Sequence, residues 1–190
     1  MNQLENIIRC VCSLAGSRIL CVLVLFISTT YSSDIRTQAE SFIYNNLGEG
    51  VILNFEKYNI PRNSKKEIEK TVRQRFYRDN IYLWTISDDE KNIGYAMLDN
   101  VIGKSMPITF MAIFSTDGDI IKTGIIKYRE PYGGEIRSDN WNRKFIEKNK
   151  KSNFIVGESI DAITGATISV NSVTRGIHKL SLLVDYVRRR

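Results

Sequence analysis

The sequence has few of the side chains that hydrolases and metal sites use. Its three cysteines all lie within the first 21 residues, and its one histidine is His178. After residue 33 the chain therefore offers no disulfide, thiolate metal site or cysteine nucleophile. A Ser-His-Asp triad would have a single candidate base, and a histidine zinc site would lack ligands. The sequence predicts no catalytic residue and no metal ligand.

Long apolar runs are also scarce in this chain of 190 residues. It is 43% hydrophobic and 25% charged, as is typical of globular proteins, which excludes a disordered tail and a polytopic membrane protein. The longest apolar run, residues 19–27, follows Arg9 and Arg18 and precedes a small polar stretch, residues 28–33. This is the order of an export signal.

Two interpretations of the N-terminus stay open. A spanning helix needs about 20 apolar residues, which favours a cleaved signal peptide. Leu14 and Ala15 can lengthen the run, so a membrane anchor over residues 14–30 remains the alternative. We therefore expect a signal or anchor in residues 1–33, one domain in residues 34–190, and a periplasmic or other extracytoplasmic location.

Apolar spacing predicts an α+β fold, in which an antiparallel sheet of about four to five strands is flanked by helices. Ser64 and Glu67 have the spacing of a capping box at the start of the second helix. The predicted helices cover residues 35–47, 61–76, 139–148 and 170–187, and the predicted strands cover residues 51–55, 81–86, 93–100, 108–114 and 120–127.

Most charged side chains are interpreted as solvated. The second helix is rich in Lys and Arg, and Arg175 and Lys179 lie one turn apart on the last helix. His178, one position from the apolar seam, is expected at the surface or in a capping role. The net charge of +6 is scattered over several elements, and export argues against nucleic acid as a partner. It favours docking on an acidic redox protein or anionic lipid, with Arg188–Arg190 contributing.

One segment before the last helix carries a chemical motif. Gly165 and Ala166 lie between Thr164 and Thr167, downstream of Asp161 and two residues before Ser169. A small-residue turn at a helix start lets a ligand approach the backbone and offers free N–H groups to an anion such as phosphate. The alternative is that Thr167 or Ser169 only caps the helix.

This segment resembles the flavinylation motif of the FMN-binding domain family. In that family a Ser/Thr-Gly-Ala-Thr sequence follows an Asp, and a separate flavin transferase attaches FMN through its phosphate to the last threonine. The resemblance implies covalent FMN on Thr167, with Asp161, Thr164, Gly165, Ala166 and Ser169 forming the rest of the motif. It covers roughly residues 93–180. The residue types alone leave open whether Asp161 serves attachment or caps the turn.

A second segment, residues 128–136 followed by Trp141 and Phe145, resembles the family's loop beside the flavin. Glu130, Tyr132, Gly133 and Gly134 are the candidate flavin contacts in this loop, and Tyr128 and Trp141 are candidates for an aromatic wall. Each aromatic residue has core packing as its alternative, and the alternative for Glu130 is that it is simply solvated. The loop lacks the Glu-Thr-Pro-Gly version found in the flavin subunits of Rnf-type and sodium-pumping NADH:quinone oxidoreductases, which favours a small stand-alone member.

The resemblance implies an exported flavoprotein that relays electrons between a membrane redox partner and an extracytoplasmic acceptor. The residues fit an electron-transfer protein better than a self-sufficient oxidoreductase, because no acid, base or metal constellation stands out. The expected partners are a flavin transferase, a membrane or extracytoplasmic redox protein and, through residues 1–33, the membrane itself. The alternative function is a non-redox exported binding domain in which Thr-Gly-Ala-Thr is only a helix cap.

Overall fold

The computed structural model describes residues 34–190, so the predicted signal or anchor lies outside the described residues. Within them, no helix has the length and apolar content needed to cross a membrane. The helices are α1 (Ile35–Leu47), α2 (Arg62–Val72), α3 (Asp139–Asn142) and α4 (Thr167–Val187), and 3₁₀ turns cover Gly134–Arg137 and Arg143–Phe145.

Five antiparallel strands form a meander in the order β1-β2-β3-β4-β5. They are β1 (Ile52–Asn59), β2 (Asn80–Asp88), β3 (Lys91–Ile102), β4 (Pro107–Ser115) and β5 (Ile120–Lys127). The α+β fold predicted from apolar spacing is confirmed. Helix α2 lies between β1 and β2, whereas β2 to β5 join through short turns, with Asp117 and Gly118 in the β4–β5 turn as expected.

Helices cover the two faces of the sheet because side chains alternate along each strand. On β3, Met97 contributes to one apolar cluster, whereas Ala96 and Leu98 contribute to the other. The first cluster contains α4 and the buried side of α2, and the second contains Ala39 and Ile43 of α1. The sheet is thus buried on both faces.

Helix α4 lies unusually close to the sheet at Gly176. A Cβ atom there would lie 2.7 Å from Phe110 Cζ and 2.9 Å from Val101 Cγ1, closer than carbon atoms pack. Next to it, Lys179 is fully buried, and its Nζ lies 3.0 Å from Asp99 Oδ2 on β3. The solvated face predicted for Lys179 is therefore wrong, because the side chain turns inward to a buried carboxylate. Together these contacts fix the position of α4 on the sheet.

Several predicted element boundaries are wrong. β1 continues to Asn59 because every residue from Ile52 onward pairs with β2. Helix α2 begins after Pro61 with no side-chain cap, so the predicted capping box does not form, and it ends at Arg73, whose φ is 53°. The helix predicted over residues 139–148 is replaced by α3 and a 3₁₀ turn.

Candidate functional site

A cleft of about 490 Å³ opens where three segments meet. These are the β3–β4 loop, the loop after β5 and the first residues of α4. The cleft brings together the two segments that the sequence singles out. It is lined by Lys104, Ser105, Glu130, Pro131, Tyr132, Gly165, Ala166, Thr167, Ile168 and Ser169.

The start of α4 gives the cleft its polar end. Gly165 turns the chain with a φ of +78°, and the Ala166 N–H donates to the Ile163 carbonyl at 3.1 Å. Thr167 is then the first helical residue, and the first bond that closes the helix runs from the Val170 N–H to the Ala166 carbonyl at 2.9 Å. The N–H groups of residues 167–169 precede that bond and lack intrahelical acceptors. They are available to an anion in the cleft.

The Thr167 hydroxyl is free for chemistry. No side chain caps α4, and within residues 34–190 the Thr167 hydroxyl has no hydrogen-bond partner. Thr167 is exposed, whereas Ala166 before it and Ser169 after it are buried. The interpretation that the Thr167 or Ser169 hydroxyl caps the helix is therefore wrong, since the cap residue is Ala166 and neither hydroxyl bonds to the helix N–H groups.

The loop after β5 packs directly against the motif at Gly133. This residue has a φ of +77°, and a Cβ atom on it would lie 2.7 Å from Ala166 Cβ. Only glycine tolerates both the left-handed backbone and this approach. The Tyr128 hydroxyl donates to the Tyr132 carbonyl and braces the same loop. The side chain of Tyr132 is consequently held out over the cleft, 81% exposed.

Glu130 is engaged by the β3–β4 loop. Its carboxylate accepts from the Ser105 N–H at 2.7 Å, the Met106 N–H at 2.9 Å and the Ser105 hydroxyl at 3.1 Å. These bonds, chiefly that from the Ser105 N–H, hold the pKa of Glu130 below its usual range. Glu130 lines the cleft, but its carboxylate oxygens accept the hydrogen bonds that hold Ser105 and Met106 beside it.

Four candidate residues lie outside the cleft lining, namely Gly133, described above, and Asp161, Thr164 and Gly134. The Asp161 carboxylate lies 3.2 Å from Lys144 Nζ, and its main-chain carbonyl accepts from Trp141 Nε1 at 2.9 Å. Thr164 is exposed in the turn before the motif, and Gly134 begins a 3₁₀ turn beside Arg137.

Of the two wall candidates, neither lines the cleft. Trp141 is 3% exposed and packs edge-on against Phe145 at 5.0 Å between ring centroids, which makes it a core residue. Tyr128 acts through the loop that its hydroxyl braces. The apolar wall of the cleft comes instead from Pro131, Tyr132 and Ile168.

Sequence reasoning missed four cleft residues, namely Lys104, Ser105, Pro131 and Ile168. Lys104 and Ser105 lie in the β3–β4 turn, about 60 positions before the motif, and no pattern in the chain ties the two together. Within the described part of the chain, Lys104 is the charged cleft residue whose side chain has no partner. It adds a positive charge beside the free N–H groups.

A smaller cavity of about 280 Å³ lies elsewhere, against β2, β3 and β4, and contains none of the motif residues. Its polar wall is occupied by internal bonds, since Arg129 donates to the Pro107 carbonyl at 2.7 Å and to Thr109 Oγ1 at 3.1 Å. We therefore place the functional site at the larger cleft.

The cleft fits a flavin mononucleotide by its donor set and its wall. Free N–H groups and Lys104 suit a phosphoryl group, and an apolar wall suits a flat ring. Residues 103–181 match the family model of the FMN-binding domain. This match supports a flavin-binding protein, as the motif and loop predicted. A comparison with curated proteins found no match.

Proposed function

We propose that the protein is an exported flavoprotein that carries FMN on Thr167 through a phosphoester bond and relays electrons. The observation that carries the proposal is the Thr167 side chain, exposed at the mouth of the cleft with an unbonded hydroxyl. A threonine that served only as a cap would hold its oxygen against the helix N–H groups. This hydroxyl is instead available as a phosphoryl acceptor.

Attachment needs an activated donor and a separate enzyme. A flavin dinucleotide supplies the activation, because its pyrophosphate bond breaks as the bond from phosphorus to Thr167 Oγ1 forms. A nucleoside monophosphate then leaves, and the hydroxyl proton passes to a base of the transferase. No base lines the cleft beside Thr167 except Glu130, whose oxygens are occupied, so the transferase must supply that base.

The protein's own residues then hold and orient the cofactor. The helix N–H groups and Lys104 offset the negative charge of the phosphodiester. Pro131, Tyr132 and Ile168 provide the apolar wall, while Gly133 and Glu130 fix the two loops that carry the cleft. FMN, when bound, supplies one-electron and two-electron redox chemistry.

The proposed setting is extracytoplasmic, with a membrane redox protein as donor and an extracytoplasmic acceptor. The order of residues 1–33 supports export by cleaved signal or anchor. A covalent bond has a clear use there, since a dissociating flavin would be lost from the cell. Residues 34–190 contain no cluster of side chains that could hold a metal ion, and the cleft contains no acid–base pair, which favours electron transfer over substrate turnover.

The proposal is tested with matched threonine variants. The wild type, Thr167→Ala and Thr37→Ala are each co-expressed with a flavin transferase and exported. We expect the wild type and Thr37→Ala to be yellow and heavier by FMN less one water, and Thr167→Ala to be unmodified. Thr37 is the control because it is an exposed threonine of α1 outside the motif and the cleft.

The opposing result is also defined. An unmodified, colourless wild type, with a transferase that flavinylates a control substrate, would contradict covalent attachment and leave the non-redox binding domain. A modified Thr167→Ala would place the bond on another residue.

A further inference from the structure

Helix α2 and the three residues after it carry a strongly basic depression that the flavin site does not use. It has a volume of about 410 Å³ and is defined by Lys66, Glu69, Lys70, Arg73, Gln74 and Arg75. We propose that this basic depression is the docking surface for an acidic protein that exchanges electrons with the flavin. The inference rests on the proposed electron-transfer function for its biological sense.

The cations of the basic depression are free to meet a partner. Within residues 34–190, the side chains of Lys66, Lys70, Arg73 and Arg75 have no ion pair or hydrogen bond. The acid among them is already engaged, because Glu69 Oε1 accepts from the Phe76 N–H at 2.8 Å and lies 3.8 Å from Lys65 Nζ. The surface therefore presents unneutralised positive charge.

The C-terminal tail does not offer the same surface. In the C-terminal tail, Arg189 Nη2 lies 2.7 Å from Asp185 Oδ2, and Arg190 is paired with Glu56. These two guanidinium groups are partly neutralised by their own fold. The tail predicted to contribute to docking is thus less available than the basic depression.

The basic depression adjoins the helix that bears Thr167. Gln74 Nε2 donates to the Ser172 carbonyl of α4 at 3.0 Å, which fastens the depression to the early part of that helix. Ser172 follows Thr167 by five residues, which is about 7.5 Å along a helix axis. A partner seated on the depression would lie beside the early part of the helix whose first residue is Thr167.

The lining favours a protein over a lipid surface. All six residues are polar or charged, so the depression has no apolar side chain to insert between acyl chains. Arg73 and Arg75 present guanidinium forks, whose geometry matches carboxylates. A polar, basic surface is complementary to a cluster of Asp and Glu side chains.

The test compares two double variants that each remove two positive charges. Lys66→Gln/Lys70→Gln alters the depression, and Lys91→Gln/Lys151→Gln is the control. Lys91 and Lys151 are exposed and have no side-chain partner within residues 34–190. Lys91 lies in the β2–β3 hairpin, at the opposite end of β3 from the β3–β4 loop that lines the cleft. The probe is a reduced plant-type [2Fe–2S] ferredoxin, chosen for its acidic surface.

Binding of the probe is measured first, with or without flavin, at about 10 mM ionic strength where screening is weak. We expect the depression variant to bind about tenfold more weakly and the control less than twofold more weakly. On flavin-loaded protein, the second-order rate of flavin reduction should fall in the same pattern. Two ferredoxins deliver the two electrons of full reduction, and the protons come from solvent.

Each other outcome has a definite meaning. Equal weakening in both variants would mean that net charge alone governs approach. No weakening in either variant would mean that these lysines take no part in binding. Both outcomes overturn the docking surface. If the depression variant loses binding to vesicles containing about 30% phosphatidylglycerol while its ferredoxin binding is unchanged, the surface binds lipid and the proposed protein partner is overturned. A wild type that binds ferredoxin through the depression but never carries flavin refutes the proposed function while upholding the docking surface.

Discussion

At the residue scale, the site depends on what Thr167 and Glu130 do with their oxygens. The Thr167 hydroxyl has no hydrogen-bond partner in the described part of the chain, whereas both Glu130 oxygens accept bonds from the β3–β4 loop. One residue is free to react, and the other is occupied in holding Ser105 and Met106 at the cleft. Glu130 was a candidate because it lies in the segment that resembles the family's loop beside the flavin, but only the fold shows which groups its carboxylate binds.

The role of Glu130 predicts a local response to Glu130→Gln. A neutral amide accepts more weakly from the Ser105 and Met106 N–H groups than a carboxylate does, so the loop should open more often. We expect the amide protons of these two residues to exchange with solvent faster, on the order of tenfold. Amide hydrogen exchange followed by NMR checks this at neutral pH.

The pH dependence has a fixed sign. The folded pKa of Glu130 is lowered, so its contribution is complete above the unfolded pKa and is lost as the pH falls through the folded pKa. Glu135→Gln, an exposed neighbour in the same segment, is the matched control. Unchanged exchange at residues 105 and 106 in Glu130→Gln, or equal acceleration in the control, would contradict this role.

At the element scale, α4 is the part that connects fold to function. Its first residue is Thr167, and its middle is held on the sheet by the close approach at Gly176 and by the buried Lys179–Asp99 pair. Lys179 Nζ also donates to the Arg75 carbonyl at 3.1 Å and lies 4.4 Å from the centroid of the Phe76 ring. This cluster joins α4 both to β3 and to the segment after α2.

The buried Lys179–Asp99 pair predicts a loss in the free energy of unfolding that depends on whether one charge or both are removed. Lys179→Met leaves Asp99 buried without its cation and should lower the free energy of unfolding by about 3–5 kcal/mol. Lys179→Met combined with Asp99→Leu should recover most of that loss, because no buried charge then remains. Urea denaturation of the three proteins measures both values. A double variant as unstable as Lys179→Met alone would show that packing, not charge, sets the cost.

The elements themselves were largely predictable, and their exceptions have physical causes. The 3.6-residue period of α1 and α4 follows from burying one face of each helix, and strands β2 to β5 were recognisable as runs rich in Ile, Phe, Tyr and Thr between turn residues. Lys179 was misplaced because its spacing is that of an exposed lysine and its partner, Asp99, is 80 positions away. The expected capping box at Ser64 does not form because the helix already begins after Pro61, three residues before Ser64.

The candidate site divides in the same way. Thr167, Gly165 and Ala166 were recognisable because the motif is contiguous, and Gly133 because a glycine pair in a loop has no core role. Lys104 and Ser105 were not, since their place at the cleft depends on the β3–β4 turn meeting α4 through tertiary structure alone. Local patterns identified the reactive segment, and folding supplied its surroundings.

At the scale of the whole molecule, stability should depend on pH through the single histidine. His178 is half-buried and stacks on Phe154, with ring centroids 4.5 Å apart and 9° between planes. Its partial burial lowers its pKa below the ordinary value of about 6.5. The unfolded chain therefore binds a proton more readily, and stability falls as the pH drops below about 6.5.

We expect the melting temperature of the wild type to decline between pH 7.5 and 5.5, a window in which His is the side chain with a matching pKa. In His178→Gln the decline over the same window should be smaller, because the titrating group is gone. Circular dichroism melts at five or six pH values decide the matter. Parallel curves for the two proteins would mean that other groups carry the pH dependence.

The central claim is a covalent bond between FMN phosphate and the Thr167 hydroxyl. It is tested most directly by denaturing the co-expressed protein in acid, which releases any unlinked flavin, and sequencing the flavin-bearing tryptic peptide by mass spectrometry. That peptide spans residues 152–175 and contains both Thr164 and Thr167, so fragment ions that break at Gly165 and Ala166 separate the two. Our account predicts the added mass on Thr167 alone. Added mass on Thr164, or complete release of flavin by acid, would contradict it.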